Sequence, residues 1–477
     1  MPLPIFSLQT TYRPAEIDDA IDIAFDMAET VQGKKKSTIY NVPCSFDIET
    51  TSFYRDGTEC INYAEMQRRR DVVPDYSPAK AAIMYCWQMS LNGVVIFGRT
   101  WAEFVSVIGT LVMRLGLDSK HRLIIYVHNL AWEFQFIRKL FEWEKVFAID
   151  ERKPIYAITT NGIEFRCSYL LSGYSLESLG RNLTKYHIEK KAGDLDYSLL
   201  RHSRTPMTEQ EIGYCVNDVQ VVVAYIAEQI EEYGNIARIP ITNTGRVREY
   251  CRAGCIGDEA PEAWLYRRRM KAMSMTPEEF KQNQRAFQGG FTHADPLCVP
   301  FWWDGEVVEK IYHDVTSIDF TSSYPYVMVS EQFPMSTGRL VEITSDEQLW
   351  HYLTHYCCLF DVEFNDLSAS FQFDHYISQY KCYVLEGATT DNGRVVCAKR
   401  IQITLTEQDY FIIRKTYHIR PGSMKIFSFR IYEKGYLPTD FVRSILWLYE
   451  QKTKLKGVAG KEVEYMRAKN MLNSTYG

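Results

Sequence analysis

The sequence predicts an α/β chain, on three observations. SFDIETTS (45–52) alternates apolar and polar residues with a period of two, the pattern of a half-buried strand. LIIYVHNLAWEFQFIRKL (123–140) opens on an apolar run that reads as a buried strand and continues as an amphipathic helix. MTEQEIGYCVNDVQVVVAYI (207–226) starts with a capping box, Thr208 and Glu211, and has a helical body. With 477 residues and 46% hydrophobic content, the chain is long enough for about two to four domains.

Composition narrows the class. Aromatic content is 14%, with 32 Tyr, which suits stacking on bases and equally suits large cores. The formal net charge of -6 does not mark a nucleic-acid binder as a whole, so only local charge is informative. Basic clusters at Lys34–Lys36, Arg68–Arg70, Arg267–Arg269 with Lys271, and Lys452–Lys469 each read alone as a solvated face. Twelve Cys include no C-x-x-C pair and no zinc spacing; Cys357 and Cys358 read as core. His351 and His355 have helical spacing but no further ligand. There is no signal peptide and no membrane-spanning run, so a soluble, cytoplasmic protein without a membrane partner is expected.

In chain order, residues 1–40 are a polar lead-in with no legible chemistry. In SFDIETTS, Phe46 and Ile48 point one way, so Asp47 and Glu49 share the other face. Two neighbouring carboxylates repel unless a cation lies between them, which makes the pattern costly as decoration. Asn129 and Glu133 are i, i+4 on the second element, and Tyr214 and Asp218 are i, i+4 on the third. Asp47, Glu49, Glu133 and Asp218 could therefore converge on two metals that clamp the attacking and leaving oxygens of a phosphoryl displacement. Tyr214 is placed to orient the attacking water, and Asn129 to hold the strand being cut. Read one at a time, each is as readily a surface pair.

Further on, FQGGF (287–291) offers Gly289 and Gly290, which permit close backbone approach or positive φ. SIDFTSSYP (317–325) reads as a strand ending on Asp319, a tight turn, and a Tyr-Pro that opens a helix. Acidic side chain and turn amides together can hold a divalent cation and a triphosphate. Residues 331–435 carry strand-like runs with turn signals at TTDNG (389–393) and RPG (420–422). In the closing AKNMLNSTYG, Lys469, Asn473 and Tyr476 are i, i+4, i+7 and lie on one face of an expected helix.

These motifs resemble those of family B DNA polymerases of the protein-primed, phage or plasmid type: a D-x-E strand, an N-x-x-x-acid helix, a Y-x-x-x-D helix, a Y-x-G-G linker, motif A and motif B. Glu133 stands where most of the family has Asp, and Phe287 replaces the linker Tyr. In protein-primed members a catalytic Lys precedes G-D-x-D-Y; here GDLDY (193–197) follows Ala192, with Lys191 beside it. The resemblance implies a ribonuclease-H-like 3′–5′ exonuclease over 41–235, after an N-terminal extension over 1–40. A connector over 236–290 and a partial palm with motif A over 291–330 follow. A β-rich insertion like the terminal-protein region (331–435) and the start of the fingers with motif B (436–477) complete it.

For the site, the resemblance implies catalytic roles for Asp47, Glu49, Glu133, Tyr214, Asp218 and Asp319, with metal held by Asp47, Glu49, Asp218 and Asp319. It implies substrate contacts at Thr50, Asn129, Trp132, Phe320, Tyr324, Lys469, Asn473 and Tyr476, and a DNA path at Phe287, Gly289 and Gly290. Tyr324 would underlie the deoxyribose and exclude a 2′-hydroxyl. Two Mg²⁺ or Mn²⁺ per active site are expected. Partners expected are primer-template DNA, single-stranded 3′ ends and deoxynucleoside triphosphates, with a terminal-protein primer as a further candidate. No D-x-D turn of motif C follows motif B, which suggests a split or shortened polymerase completed by a C-terminal polypeptide. The alternatives are a non-catalytic DNA-binding or assembly subunit and a stand-alone 3′–5′ exonuclease.

Overall fold

The computed structural model describes residues 11–33, 36–73, 75–188, 195–256, 263–292, 301–303, 306–308, 311–372 and 375–476. They form two units. The first runs to Glu249 and takes in Leu455–Thr475; the second is Tyr250–Lys454 with Tyr476.

The first unit is built on one mixed sheet. Its elements are β1 (Cys44–Asp56), β2 (Ala79–Leu91), β3 (Val94–Gly98), α1 (Trp101–Leu115), β4 (His121–Val127), α2 (Leu130–Ile137), β5 (Trp143–Ala148), β6 (Pro154–Thr159), β7 (Ile163–Cys167) and α3 (Glu209–Tyr233). Across the sheet the order is β3-β2-β1-β4-β7-β6-β5. Pairings among β3, β2 and β1 are antiparallel, β1–β4 and β4–β7 are parallel, and β7, β6 and β5 are antiparallel again.

The strand patterns follow from what each face meets. On β1, Phe46 and Ile48 enter a core shared with α1, where the Phe46 and Phe104 rings stack at 4.5 Å. Asp47 and Glu49 are thereby left on the opposite face, as alternation requires. β4 is covered on both sides: Leu123, Ile125 and Val127 join the α1 core, while Ile124 and Tyr126 pack with Val221, Val222 and Tyr225 of α3. Double coverage is the reason LIIYV is apolar throughout. Helix α3 begins at the capping box expected from sequence, with Thr208 accepting from the Glu211 N–H and Glu211 reaching back to the Thr208 N–H at 2.8 Å. It ends at Gly234, whose φ of 81° closes the helix in the left-handed region.

The second unit contains α4 (Pro277–Ala286), α5 (Ser323–Ser330), α6 (Asp346–His355), β8 (Cys357–Ala369), β9 (Cys382–Glu386), β10 (Arg394–Thr406), α7 (Glu407–Thr416), β11 (Met424–Tyr432) and α8 (Thr439–Leu455). The four strands pair antiparallel in the order β11-β8-β10-β9. Phe360, Phe364, Ile401, Ile403 and Phe429 fill the core beneath α6. The turn of TTDNG takes positive φ at Asn392 (50°) and Gly393 (73°), the geometry of a tight hairpin. The last helix, α9 (Glu462–Asn473), belongs to the first unit.

Three local expectations need correction. SIDF is not a strand: residues 315–320 have no regular structure. Ile318 and Phe320 are 84% and 81% exposed. Neither ladder pairing nor burial among the described residues fixes an extended conformation there. Tyr476 does not continue the face of Lys469 and Asn473, because α9 ends at Asn473. There the Thr475 hydroxyl donates to the Leu472 carbonyl at 2.7 Å, a local bond that competes with the next helical turn, and the Ser474 hydroxyl accepts from Asn243 at 2.8 Å. Asn129 lies not within α2 but at its N-cap, with φ 72°.

Candidate active site

Strand β1 and helix α3 bring three of the predicted carboxylates together. Ligand oxygens of Asp47, Glu49 and Asp218 all lie within 4.8 Å of one another, with Glu49 and Asp218 buried and Asp47 half-buried. It is the only group of three metal-ligating side chains among the described residues; His351 and His355 stack on α6 at 4.6 Å without a third ligand. The register shifts between Glu49 and Thr50: Glu49 faces Cys86 and Thr50 faces Met84, so Tyr85 is an extra residue in β2. A bulge at this point sets the outlook of the two acidic side chains.

Glu133 joins from the first turn of α2. It is only 4% exposed. Burial holds its pKa well above the usual carboxylate range, and the neighbouring charges of Asp47 and Glu49 push it the same way. In metal-free protein the folded state therefore keeps a proton that the unfolded state releases near pH 4.3, about the ordinary glutamate value. More protons bound in the folded state means that stability falls as pH rises from there toward the raised value. In EDTA, the thermal midpoint of wild type should drop relative to Glu133→Gln between pH 5 and 8, at roughly 2–4 °C per kcal/mol. Parallel curves would contradict this account.

Tyr214 stands one helical turn before Asp218. Burial, with the charges of Asp218, Glu49 and Asp47, pushes its pKa up to about 12, against the opposing hydrogen bond from Tyr197. Its hydroxyl remains protonated at neutral pH. The Tyr197 and Tyr214 hydroxyls lie 3.4 Å apart, which brings the Tyr of GDLDY beside the cluster, a placement that its motif alone does not reveal. Its segment is tied at two points. Thr51 Oγ1 donates to the Leu199 carbonyl and accepts from the Arg201 N–H, both at 3.1 Å, and Arg201 pairs with Glu211 at 2.6 Å. Sequence spacing carries no trace of that brace. Lys191 lies outside the described residues. Asn129 and Trp132, at the start of α2, are exposed, and Trp132 meets Phe136 edge-on at 5.5 Å.

The second unit holds the remaining candidates except Lys469 and Asn473, which stand on α9. Asp319 and Phe320 are exposed on the irregular segment before α5. Ser322, at φ 53°, forms the N-cap of α5 and accepts from Lys452 Nζ at 2.8 Å. The Tyr324 ring stacks on Tyr476 with centroids 4.3 Å apart and planes 12° from parallel. Phe287 ends α4, and the Lys381 ammonium sits 5.3 Å over its ring. Among the described residues, a Cβ at Gly289 or Gly290 would meet nothing within 4 Å.

No protein-family model and no curated protein matches this sequence. Solved structures do. Phi29 DNA polymerase complexed with single-stranded DNA matches over 92% of this chain and 67% of its own, with a TM-score of 0.57 and 15% identity. The same polymerase with primer-template DNA, a post-translocation binary complex, gives the same coverage and TM-score at 14% identity. Its ternary complex with primer-template DNA and incoming nucleotide substrates covers 92% and 68%, with a TM-score of 0.52 and 15% identity. At such identity the likeness is one of fold: the chain is a mixed α/β protein whose architecture is similar to that of Phi29 DNA polymerase over 92% of its length.

Proposed function

We propose that this chain is a DNA-directed DNA polymerase polypeptide of the protein-primed family B kind, and that residues 41–235 form a proofreading 3′–5′ exonuclease. The observation that carries the reading is the gathering of Asp47, Glu49 and Asp218 within 4.8 Å, from a central strand and a long helix. The sheet order β3-β2-β1-β4-β7, antiparallel then parallel, supports a ribonuclease-H-type unit around that site. The fold likeness to a polymerase described with single-stranded and primer-template DNA supports the substrate class.

The residues fit a divalent cation. All the donors are hard carboxylate oxygens, which suit Mg²⁺ or Mn²⁺, and the buried Glu133 Oε2 has no hydrogen-bond partner among the described residues. Two such cations, when bound, neutralise the phosphodiester and acidify the attacking water. Asp47, Glu49 and Asp218 hold them, with Glu133 beside Asp47. The Tyr214 hydroxyl orients the water for in-line attack on phosphorus. The bond to the 3′-oxygen breaks, leaving a shortened strand with a 3′-hydroxyl and releasing a nucleoside 5′-monophosphate. Asn129 and Thr50 contact the strand, and Trp132 stacks on a base at the exposed start of α2.

For synthesis, Asp319 in the second unit would hold the polymerase cations, with Phe320, Tyr324 and Tyr476 of that unit receiving the incoming deoxynucleotide; Lys469 and Asn473, on α9, are proposed separately as contacts to phosphate and base. Phe287, Gly289 and Gly290 line the DNA path, and residues 331–435 face a terminal-protein primer. A 5′-labelled primer on a longer template tests the reading. Mg²⁺ should produce a ladder of shortened primers that EDTA prevents, and deoxynucleotides test for extension. Primers left whole in Mg²⁺ would sink the exonuclease assignment. Tyr214→Phe should slow shortening by about 10²-fold, the scale of a lost positioning contact in general catalysis, with no fall in thermal midpoint.

A further inference from the structure

Residues 86, 88 and 90 of β2 share one face of the strand, and each is tied to a carboxylate-bearing element. Cys86 packs in one buried cluster with Cys215 of α3. Ser90 Oγ donates to Gln220 Oε1 at 3.1 Å, and Gln220 Nε2 donates to the Gly93 carbonyl at 2.8 Å, anchoring α3 two residues beyond Asp218. Between them, Gln88 lies opposite Asp47 in register and donates from Nε2 to Asp47 Oδ2 at 2.8 Å.

Gln88 is fully buried, yet its Oε1 has no hydrogen-bond partner among the described residues. A buried polar atom left unpaired costs about 1–3 kcal/mol. Gln220, equally buried, uses both ends of its amide; Gln88 uses one, and uses it on Asp47 alone. An apolar side chain would fill the same space without that cost, so packing does not account for an amide here. The charge of the donor matters too. A lysine or arginine would cancel one negative charge of the cluster and compete with a cation, whereas a neutral amide leaves that charge available.

We propose that Gln88 is a positioning residue for metal binding: it pins Oδ2 of Asp47 so that the other oxygen, Oδ1, is presented with Glu49 and Asp218 to a divalent cation. The inference rests on the reading of this cluster as a cation site. Hydrogen-bond partners of metal ligands fix ligand orientation, and their loss typically weakens metal affinity about 10–100-fold.

The test measures Mn²⁺ binding to the full chain without DNA, by electron paramagnetic resonance of the free ion, alongside thermal midpoints in EDTA. The proteins are wild type, Gln88→Met, Gln88→Leu and Asp47→Ala. The two apolar variants differ in shape, so a packing failure in one leaves the other. Mn²⁺ binding about 10–100-fold weaker in the folded variants, with midpoints in EDTA equal to or above wild type, supports the proposal. Wild-type affinity in a folded Gln88 variant overturns it, while weak binding by Asp47→Ala preserves the cation site itself. Failure of both variants to fold also overturns it, since Gln88 is then a packing residue. Absence of Mn²⁺ binding by wild type, or undiminished binding by Asp47→Ala, removes the cation-site reading and this proposal with it.

Discussion

Replacing Asp47 and Glu49 together by alanine should abolish Mg²⁺-dependent shortening of a primer while raising the thermal midpoint in EDTA. The loss follows from the donors: without them the site cannot hold the charge that neutralises a scissile phosphate. That charge is worth several kcal/mol at the transition state, or on the order of a thousandfold or more in rate. The gain in midpoint follows from the same geometry. Acidic groups whose oxygens lie within 4.8 Å repel one another in the metal-free fold, and the variant relieves that repulsion. Adding Mn²⁺ should reverse the order. Wild type gains about 2.7 kcal/mol when the ion is at a hundred times its dissociation constant, and the variant gains nothing. Primer trimming and scanning fluorimetry read the two halves. A variant that still shortens primers, or that melts earlier than wild type in EDTA, would falsify the account.

Gly162→Ala should be among the most destabilising single methyl additions in the first unit. The residue sits in the turn between β6 and β7 at φ 92°, and its carbonyl accepts from the Leu123 N–H at 3.0 Å, setting β7 beside β4. A Cβ there would lie 2.6 Å from the Asp118 carbonyl oxygen and 2.7 Å from that of His121. Both are backbone atoms that cannot swing aside. Left-handed backbone costs a non-glycine residue about 1–2 kcal/mol, and overpacking typically adds about 1–3. Gly116→Ala isolates the first effect, since Gly116 has φ 60° and open space around it. Urea denaturation should place Gly162→Ala well below Gly116→Ala, and equal midpoints would refute the steric argument.

Legibility from sequence depended on how local the cause was. The capping box of α3 is a contact between residues three apart, so Thr208 and Glu211 announce it directly. The shared face of Asp47 and Glu49 follows from strand alternation alone. By contrast, Gln88 meets Asp47 across a strand pair, and Tyr197 reaches Tyr214 through a braced loop. Register and loop path decide both, and neither leaves a periodic trace. SIDF failed as a strand because alternation states what a strand would bury, not whether a neighbour exists to bury it. Tyr476 leaves the helical face because α9 ends at Asn473, where the Thr475 hydroxyl takes the Leu472 carbonyl. Helical spacing places Asn129 one turn before Glu133 but cannot see a left-handed N-cap.

The distance along the chain between the acidic residues has a consequence for biosynthesis. Asp218 follows Asp47 by 171 residues. At about 5–20 residues per second, a ribosome delivers β1 on the order of ten to thirty seconds before α3. Until that helix emerges and docks, Asp47 and Glu49 have no Asp218 to complete a ligand set. If the cluster is the proposed exonuclease site, a nascent chain should be unable to shorten nucleic acid until α3 docks, and the onset of shortening would report that docking.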